Sequence, residues 1–482
     1  MTMKSSVSGK AQSIFQKIWE LHEVEVGEGF SLVAIDRVWL HERTGGVALK
    51  SLAEDGRKVV APENVFVTMD HVVDTFPGRG DETTMPTGAE FIRVTREAAK
   101  AAGLTLFDIG DERQGIVHVI SPEQGVVLPG VTLVCPDSHT CTQGAFGGLA
   151  WGVGSTEAEH ALATMTLRLA KPKTMRIMID GDSALDVTGK DIALHIISHI
   201  GSSGAKGHIV EFAGTTVSEM SIEGRMTLCN MAAEMGAFSA IIAPDDKVFD
   251  YLQGRPYAPT GEAWLAAISD WRQLFSDEGA QFDIEHRFDA SEIMPMVSWG
   301  TNPEQSAAIG TAPNIAVDNV TGAERSLAYM AVDATQPVAG LSIDGAFIGS
   351  CTNARFEDLK SAAEILQGRK VASGVRAICV PGSGSVKRRA EEAGLDRIFL
   401  EAGFEWREPG CSMCFFVGGE SFGPQDRVMS STNRNFENRQ GQGTRTHIAA
   451  PANVAASAIL GRITSARELA VMDATAKQED EA

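Results

Sequence analysis

Three of the seven cysteines lie in short, turn-like segments whose spacing is typical of metal ligands. Cys411 and Cys414 form a C-x-x-C pair behind a Pro-Gly turn, and Cys351 lies about 60 positions upstream in a Gly-Ser-Cys-Thr-Asn segment. A four-iron cluster held by only three cysteines leaves one iron with an open position, where it can act as a Lewis acid towards a hydroxyl or carboxylate. Spacing alone leaves a zinc site or a redox dithiol as alternatives, although no fourth thiol stands nearby to complete a structural zinc site.

The other four cysteines have the pattern of core residues. A free cysteine is small, apolar and commonly buried, and we apply this interpretation to Cys135, Cys141, Cys229 and Cys379. An odd number of cysteines spread through a long chain does not indicate a disulfide framework. We therefore expect a reducing, cytoplasmic environment.

Two acid-histidine pairs could perform acid–base chemistry. Asp70-His71 and Asp137-Ser138-His139 each follow a short apolar run that predicts a strand. A carboxylate beside an imidazole raises the pKa of the ring and fixes its tautomer, as general acid catalysis requires. One such pair alone is more often a surface feature. A third histidine, His118, in a predicted buried strand at residues 115–120, makes a polar site the better interpretation.

Further polar residues could bind a substrate. Asn230 and Glu234 have i, i+4 spacing on a predicted helix, and the methionines around them favour burial over a solvated face. Arg434 and Arg439 could bind carboxylates, or could belong to a charged surface loop. The Gly-Ser turn at residues 382–385 could receive an anion at a helix N-terminus, but it lacks the Walker pattern and a connecting turn is the better interpretation.

The elements that must position these residues alternate along the chain, which predicts an α/β architecture with its chemistry at the carboxyl ends of strands. Besides residues 115–120, strands are predicted at residues 30–36, 65–69, 131–135, 175–179, 208–212, 346–348 and 377–380, and helices at residues 11–23, 87–102, 192–200 and 227–236. A length of 482 residues favours two to four domains, and we expect boundaries that give domains 1–172, 173–310 and 311–482.

Composition and charge disfavour several classes of protein. Apolar residues make up 43% of the chain and charged residues 22%, which is ordinary for a globular protein. The net charge of −21, from 42 Lys plus Arg against 63 Asp plus Glu, repels phosphate backbones and anionic lipid, so we expect no nucleic-acid partner. The N-terminus lacks the apolar region of a secretory signal, and no run of about 18 apolar residues predicts a membrane span.

Taken together, these segments resemble the aconitase superfamily from about residue 12 to residue 467, and most closely the large subunits of bacterial 3-isopropylmalate dehydratases. The matching segments, in chain order, are VTMDH, GIVHVISPEQG, PDSHT, EGRMTLCNMAAEMGA, VSWGTNPEQ, FIGSCTN, RKVASGV, EAGFEWREPGCSMC and STNRNFENRQGQGTRTHIAAPA. The resemblance implies three aconitase-type α/β domains around a central [4Fe-4S] cluster, without the fourth, swivelling domain of the one-piece members.

The resemblance also implies roles for individual residues. Cys351, Cys411 and Cys414 would hold one cluster per subunit, and its fourth iron would bind the substrate. His71, paired with Asp70, would handle the proton of the leaving hydroxyl. The residues around the iron-bound water would be His118, Asp137, His139 and Glu234. The residues that bind the substrate or hydrogen-bond near the cluster would be Ser138, Asn230, Asn353, Asn433, Arg434 and Arg439.

The implied reaction moves a hydroxyl between adjacent carbons of a malate-type acid by reversible dehydration, with 3-isopropylmalate in leucine biosynthesis as the leading substrate. Departures from the isopropylmalate pattern, among them Val73, Gln143 and Asn438, leave a paralogue that acts on methylmalate, dimethylmalate or a homocitrate-type acid as the alternative. A cluster-free regulatory protein and a zinc or dithiol protein are more distant alternatives. The resemblance further implies a heterodimer, in which a separate small subunit supplies the swivelling domain, and little activity for this chain alone.

Overall fold

Helices and strands alternate along most of the chain. The computed structural model describes residues 10–315, 320–414, 416 and 418–480. The helices are α1 Ile14–His22, α2 Gly45–Glu54, α3 Gly88–Ala101, α4 Val117–Gln124, α5 Ser155–Thr164, α6 Gly189–Ile200, α7 Thr215–Glu219, α8 Ile222–Met231, α9 Asp246–Leu252, α10 Gly261–Trp271, α11 Val320–Met330, α12 Phe356–Leu366, α13 Gly384–Glu392, α14 Leu395–Ala402, α15 Pro451–Leu460 and α16 Ala466–Asp480. The strands are β1 Glu23–Gly27, β2 Phe30–Ala34, β3 Arg37–His41, β4 Val65–Thr68, β5 Thr105–Phe107, β6 Thr132–Cys135, β7 Leu149–Gly152, β8 Thr166–Leu169, β9 Lys173–Asp180, β10 His208–Ala213, β11 Ser239–Ile241, β12 Ile284–Asp289, β13 Met296–Ser298, β14 Ser306–Ala308, β15 Gly345–Ile348, β16 Arg376–Cys379, β17 Phe404–Trp406, β18 Arg427–Ser430 and β19 Arg445–Ile448.

The chain forms two compact units, each built from separate stretches of sequence. The first unit comprises Met1–Val72, Thr87–Asp182 and Ser203–Asp289, and the second comprises Val73–Pro86, Ser183–Ser202 and Ala290–Ala482. The chain therefore crosses between the units several times, first directly after Val72. The three-domain division expected from the sequence stays a prediction.

The first unit contains two parallel sheets and a small antiparallel one. One parallel sheet has the order β5-β4-β3-β6-β7, the other has the order β11-β10-β9-β12, and β1-β2-β8 is antiparallel. Every residue of β4 and β6 is buried, as expected for strands of a parallel sheet that is covered on both faces. Because β3, β4 and β6 are adjacent and parallel, the segments that follow them leave the sheet at the same edge.

The second unit is built on the parallel sheet β17-β16-β15-β18-β19. The Cys351 loop follows β15, the C-x-x-C segment follows β17, and the loop with Asn433 and Arg439 follows β18. A buried apolar cluster lies under these loops and consists of Phe347, Ile378, Val380, Met413, Phe422 and Val428. Met413, between the two cysteines of the C-x-x-C pair, anchors that segment in the core.

The α/β class expected from the sequence is confirmed, but one predicted strand is wrong. Residues 115–120 do not form a strand, because α4 begins at Val117 and continues to Gln124. All eight residues of α4 are buried, so its sequence lacks the one-sided apolar period of a surface helix. Among the described residues, no helix combines the length and apolarity needed to cross a membrane.

His447 in β19 is an uncharged histidine in the core of the second unit. Its Nδ1–H donates to the Ser298 carbonyl oxygen at 2.7 Å, and its Nε2 accepts from the Arg427 guanidinium at 2.7 Å. Burial and the positive charge of Arg427 lower the pKa of His447 to about 3. A proton on Nε2 would place two donors against each other.

We expect this histidine to make the fold acid-sensitive. Between pH 6.5 and about 3 the unfolded chain binds a proton at His447 that the folded chain does not bind, so the free energy of unfolding falls as pH falls, by about 3 kcal/mol at pH 4. Urea unfolding of wild type and His447→Gln at pH 7, 5.5 and 4 should show a smaller acid-induced loss in the variant. The exposed His160→Gln is the matched control, and equal slopes for all three proteins would contradict the assignment.

Candidate functional site

His71 lies between two carboxylates in the first unit, in the turn that follows β4. Its Nδ1 is 2.6 Å from Asp70 Oδ1 and its Nε2 is 3.1 Å from Asp137 Oδ2. Asp70 is fully buried and also accepts the backbone N–H of Val117, at the start of α4, at 3.0 Å. Burial alone would raise the pKa of Asp70, but the charge and hydrogen bond of His71 lower it. The ring can therefore hold a proton on either nitrogen.

Asp137 connects three histidines. Its Oδ1 accepts from His118 Nε2 at 2.9 Å and from the backbone N–H of His139 at 2.7 Å, and its Oδ2 faces His71. Burial opposes ionisation, yet the hydrogen bonds and the charge of His118 hold the pKa of Asp137 well below its usual range. Among the described residues, His118 Nδ1 is buried and has no hydrogen-bond partner. That nitrogen is therefore an unused acceptor when Nε2 carries the proton that it donates to Asp137.

The second acid-histidine pair extends to α8. His139 Nε2 is 2.7 Å from Glu234 Oε1, in the short 3-10 turn Ala232–Met235 that follows α8. Asn230 donates to the Thr142 hydroxyl at 2.8 Å. Asn230 and Glu234 are both buried, so they do not form a solvated helix face. Ser138 is exposed beside His139, and the distance from its Oγ to His139 Nδ1 is 3.4 Å.

The sequence reasoning missed a third acid-histidine pair, His41-Glu42, at the end of β3. Both residues are buried, and the His41 ring stacks on the His71 ring with centroids 4.0 Å apart and planes 19° apart. Burial and the charge of His71 lower the pKa of His41 to about 4. In the sequence an apolar run at residues 38–40 ends in His41-Glu42, as in the other two pairs, but only the sheet order, with β3 between β4 and β6, places this pair beside them.

The ligand atoms of His41, Glu42, Asp70 and His71 lie within 4.8 Å of one another, as in a metal site. Stacked rings, however, direct their in-plane nitrogen lone pairs along nearly parallel lines, so His41 and His71 cannot chelate the same ion in this arrangement. Glu42 is also already bonded to three backbone amides. The group therefore fits a proton-holding network better than a metal centre.

In the second unit, hydrogen-bond donors converge on the sulfurs of the predicted cluster ligands. Asn433 Nδ2 lies 3.4 Å from Cys351 Sγ, an Arg439 guanidinium nitrogen lies 3.4 Å from Cys414 Sγ, and the Ser350 hydroxyl lies 3.1 Å from Cys414 Sγ. Hydrogen bonds to sulfur are common around the cysteine ligands of metals and clusters, where they tune the bound group.

Two residues of these loops have an energetically unfavourable backbone conformation. Ser350 and Ser412 both have left-handed φ angles, 76° and 48°, which costs roughly 1 kcal/mol or more for each non-glycine residue. The Ser412 hydroxyl accepts from Thr75 Oγ1 at 2.9 Å, and Thr75 belongs to the segment that enters the second unit after Val72. Tertiary contacts thus fix the loop around the thiols.

The three thiols are not grouped as tightly as a single zinc ion requires. Among the described residues, the sulfurs of Cys351, Cys411 and Cys414 do not form a group within 4.8 Å of one another. A tetrahedral zinc, with Zn–S bonds of about 2.3 Å, requires sulfurs about 3.8 Å apart. All three cysteines are buried with only 5–6% exposure, enough to border a small ligand.

The four cysteines assigned to the core are all buried, as predicted. Burial raises the pKa of the thiols of Cys135, Cys229 and Cys379 well above its ordinary value. A thiol that resists ionisation is a poor metal ligand. The candidate ligands Cys351 and Cys414, by contrast, have amide and guanidinium donors within 3.4 Å of their sulfurs.

Of the remaining predicted residues, Asn353 donates to Asp358 at 2.8 Å in the loop after β15, and Arg434 is half-buried beside Asn433. Sequence reasoning also missed Lys190 of α6, whose buried ammonium donates to the carbonyl oxygens of Ser431 and Thr432 at 3.0 and 2.7 Å. Burial lowers the pKa of Lys190 to about 7. No local pattern indicates this contact, which joins residues about 240 positions apart.

A model of the aconitase family (aconitate hydratase) matches residues 16–461. The chain belongs to the aconitase family. Solved structures similar to this aconitase-family chain include the holo-form of aconitase X from Thermococcus kodakaraensis, at 12% identity over 84% of each chain and a TM-score of 0.44. Another is histidinol dehydrogenase from Elizabethkingia anophelis, at 10% identity over 57% of this chain and 60% of that one, with a TM-score of 0.15. Both TM-scores are below 0.5, so the family match alone makes the assignment.

We expect Asp137 to be a main stabiliser of the histidine network in this aconitase-family chain. Asp137→Asn should lower the free energy of unfolding by about 3 kcal/mol at pH 7, because it removes the charge that compensates buried imidazoles. The control is Asp111→Asn, since Asp111 is partly exposed and pairs with Arg113 two residues away. Chemical denaturation measures both variants, and a loss no larger for Asp137→Asn than for Asp111→Asn would contradict the role.

Proposed function

We propose that this chain catalyses the reversible dehydration of a malate-type hydroxy acid, with 2-isopropylmalate and 3-isopropylmalate as its substrate pair. The observation that supports the proposal is the set of three buried thiols, two of them approached by hydrogen-bond donors, in a chain of the aconitase family. Members of this family generally bind a [4Fe-4S] cluster. The hydro-lyase character follows from the family, and the substrate is the proposed part.

The second unit would hold the cofactor. Cys351, Cys411 and Cys414 would be its ligands, while Asn433 and Arg439 would stabilise the ligand sulfurs through the hydrogen bonds already present. A [4Fe-4S] cluster bound by three cysteines supplies one iron with an open coordination position, which polarises a hydroxyl that is otherwise a poor leaving group.

The first unit would supply the proton transfers. His71 holds its Nδ1 proton against Asp70, so its Nε2 is the atom that would give a proton to the departing hydroxyl and recover it in the reverse direction. Asp137 would keep His71 and His118 in place through the exchange. Arg434 and Arg439 would bind the substrate carboxylates, which need fixed guanidinium groups.

A second candidate is the same reaction on methylmalate, dimethylmalate or a homocitrate-type acid. Gln143, one of the departures from the isopropylmalate pattern, is fully buried in the 3-10 segment Ser138–Phe146 that carries His139. Within the described residues, neither its amide oxygen nor its amide nitrogen has a hydrogen-bond partner. Of these acids, a homocitrate-type acid, with its third carboxylate, would offer such an amide a partner that an isopropyl group does not.

The cluster assignment predicts iron and acid-labile sulfide at about four each per chain after anaerobic reconstitution. Cys351→Ser, Cys411→Ser and Cys414→Ser should each lose most of both, together with the visible absorption of the cluster. Cys379→Ala is the matched control, because Cys379 is a buried core thiol in β16 and its loss should leave iron content unchanged. Wild-type protein without iron and sulfide, or with zinc alone, would overturn the assignment.

The substrate is tested with reconstituted protein, alone and co-expressed with the separate small subunit that we include in the proposal. Ultraviolet absorbance of the unsaturated acid reports dehydration of 3-isopropylmalate, 2-methylmalate, dimethylmalate and homocitrate. We expect the highest kcat/KM for 3-isopropylmalate, and activity only with both subunits. A tenfold preference for another acid, which corresponds to about 1.4 kcal/mol in transition-state binding, would favour the second candidate.

A further inference from the structure

Glu42 is a buried carboxylate bound by three consecutive backbone amides. Its Oε2 accepts the N–H of Asp70 at 3.0 Å, and its Oε1 accepts those of His71 and Val72 at 2.7 and 2.5 Å. Its side chain is fully buried directly after β3. Backbone amides that point at one carboxylate form an anion-binding concavity, and here the anion belongs to the protein itself.

The three amides are the main compensation for the burial of the Glu42 carboxylate. A buried carboxylate is costly unless it is paired, and among the described residues Glu42 forms no ion pair with a lysine or arginine. Burial and the nearby charge of Asp70 raise the pKa of Glu42, and the charge of His71 and the amide hydrogen bonds only partly oppose that rise. A neutral side chain would avoid this cost.

The contacts of Glu42 all lie on the turn that carries the candidate acid-base pair. The turn has no regular backbone partners of its own, because β4 ends at Thr68. Glu42 fixes it from one side, and the neighbouring His41 stacks on the His71 ring at 4.0 Å. Adjacent residues of one strand end thus hold both the backbone and the ring of His71.

We propose that Glu42 is a positioning residue for the Asp70–His71 pair. Its two oxygens hold the amides of residues 70–72, and this order keeps His71 Nδ1 on Asp70 and Nε2 towards Asp137. Glu42 itself contacts neither substrate nor cofactor in this role. The catalytic consequence rests on the proposed function, whereas the ordering of the turn does not.

Hydrogen exchange followed by mass spectrometry tests the ordering without any assay of activity. Glu42→Gln keeps the side-chain shape but removes the charge and turns one acceptor into a donor, so exchange in a peptide spanning residues 69–75 should rise roughly tenfold. Glu211→Gln is the matched control, because Glu211 is a buried carboxylate of the same unit that accepts from the Ser276 hydroxyl. It should leave exchange in that peptide unchanged.

Glu42→Asp keeps the charge on a shorter side chain and covers the case in which Glu42→Gln fails to fold. It should give an intermediate rise in exchange, since it cannot reach all three amides. A folded Glu42→Gln, or in its absence a folded Glu42→Asp, with wild-type exchange at residues 69–75 would overturn the proposal.

Kinetics with the reconstituted enzyme separates positioning from mere stabilisation. The Glu42→Gln enzyme should show kcat reduced ~10- to 100-fold with KM nearly unchanged and full iron content, because a displaced acid-base group slows the chemical step. An unchanged kcat in a variant with faster exchange would overturn the positioning role. Wild-type protein that is inactive on every acid tested would contradict the proposed function, and the exchange experiment would still decide whether Glu42 orders the turn.

Discussion

The compensation of buried charge is the constraint on which the polar centre of the first unit depends. A carboxylate removed from water is tolerated only when hydrogen-bond donors or a cation replace its hydration. Here a series of hydrogen bonds provides the compensation, and it runs from Glu42 through the turn amides to Asp70, His71 and Asp137. Each group both needs a hydrogen-bond partner and provides one for the next group, which explains why so many ionisable groups can occupy one buried region.

The second unit meets a similar constraint with different chemistry. Sulfur is softer and larger than a carboxylate oxygen, and amide, guanidinium and hydroxyl groups approach the sulfurs of Cys351 and Cys414 at 3.1–3.4 Å. Two serines in these loops have left-handed backbone conformations. The loops tolerate them because Met413 is anchored in the apolar core and neighbouring segments of the chain hold the backbone. The site is therefore preformed by packing, and a cofactor need not create it.

The sequence was most informative where local order decides structure. Apolar runs that end in acid-histidine pairs identified β4 and β6 with their polar ends, and the two cysteine segments identified the thiol loops. The helix that carries His118 was not predicted, because a helix that is buried on every side has no amphipathic period. Glu42 and Lys190 were not predicted as functional residues, because their hydrogen-bond partners lie on other strands and loops. Only sheet order or long-range folding brings these residues and their partners together.

The path of the chain after His71 has a consequence for recombination of the gene. The polypeptide leaves the first unit one residue later, and the segment that follows bonds the C-x-x-C loop through Thr75 and Ser412. No contiguous stretch of the gene encodes either unit on its own. A recombination event that exchanged one half of the coding sequence would therefore combine, within each unit, fragments from two different parents.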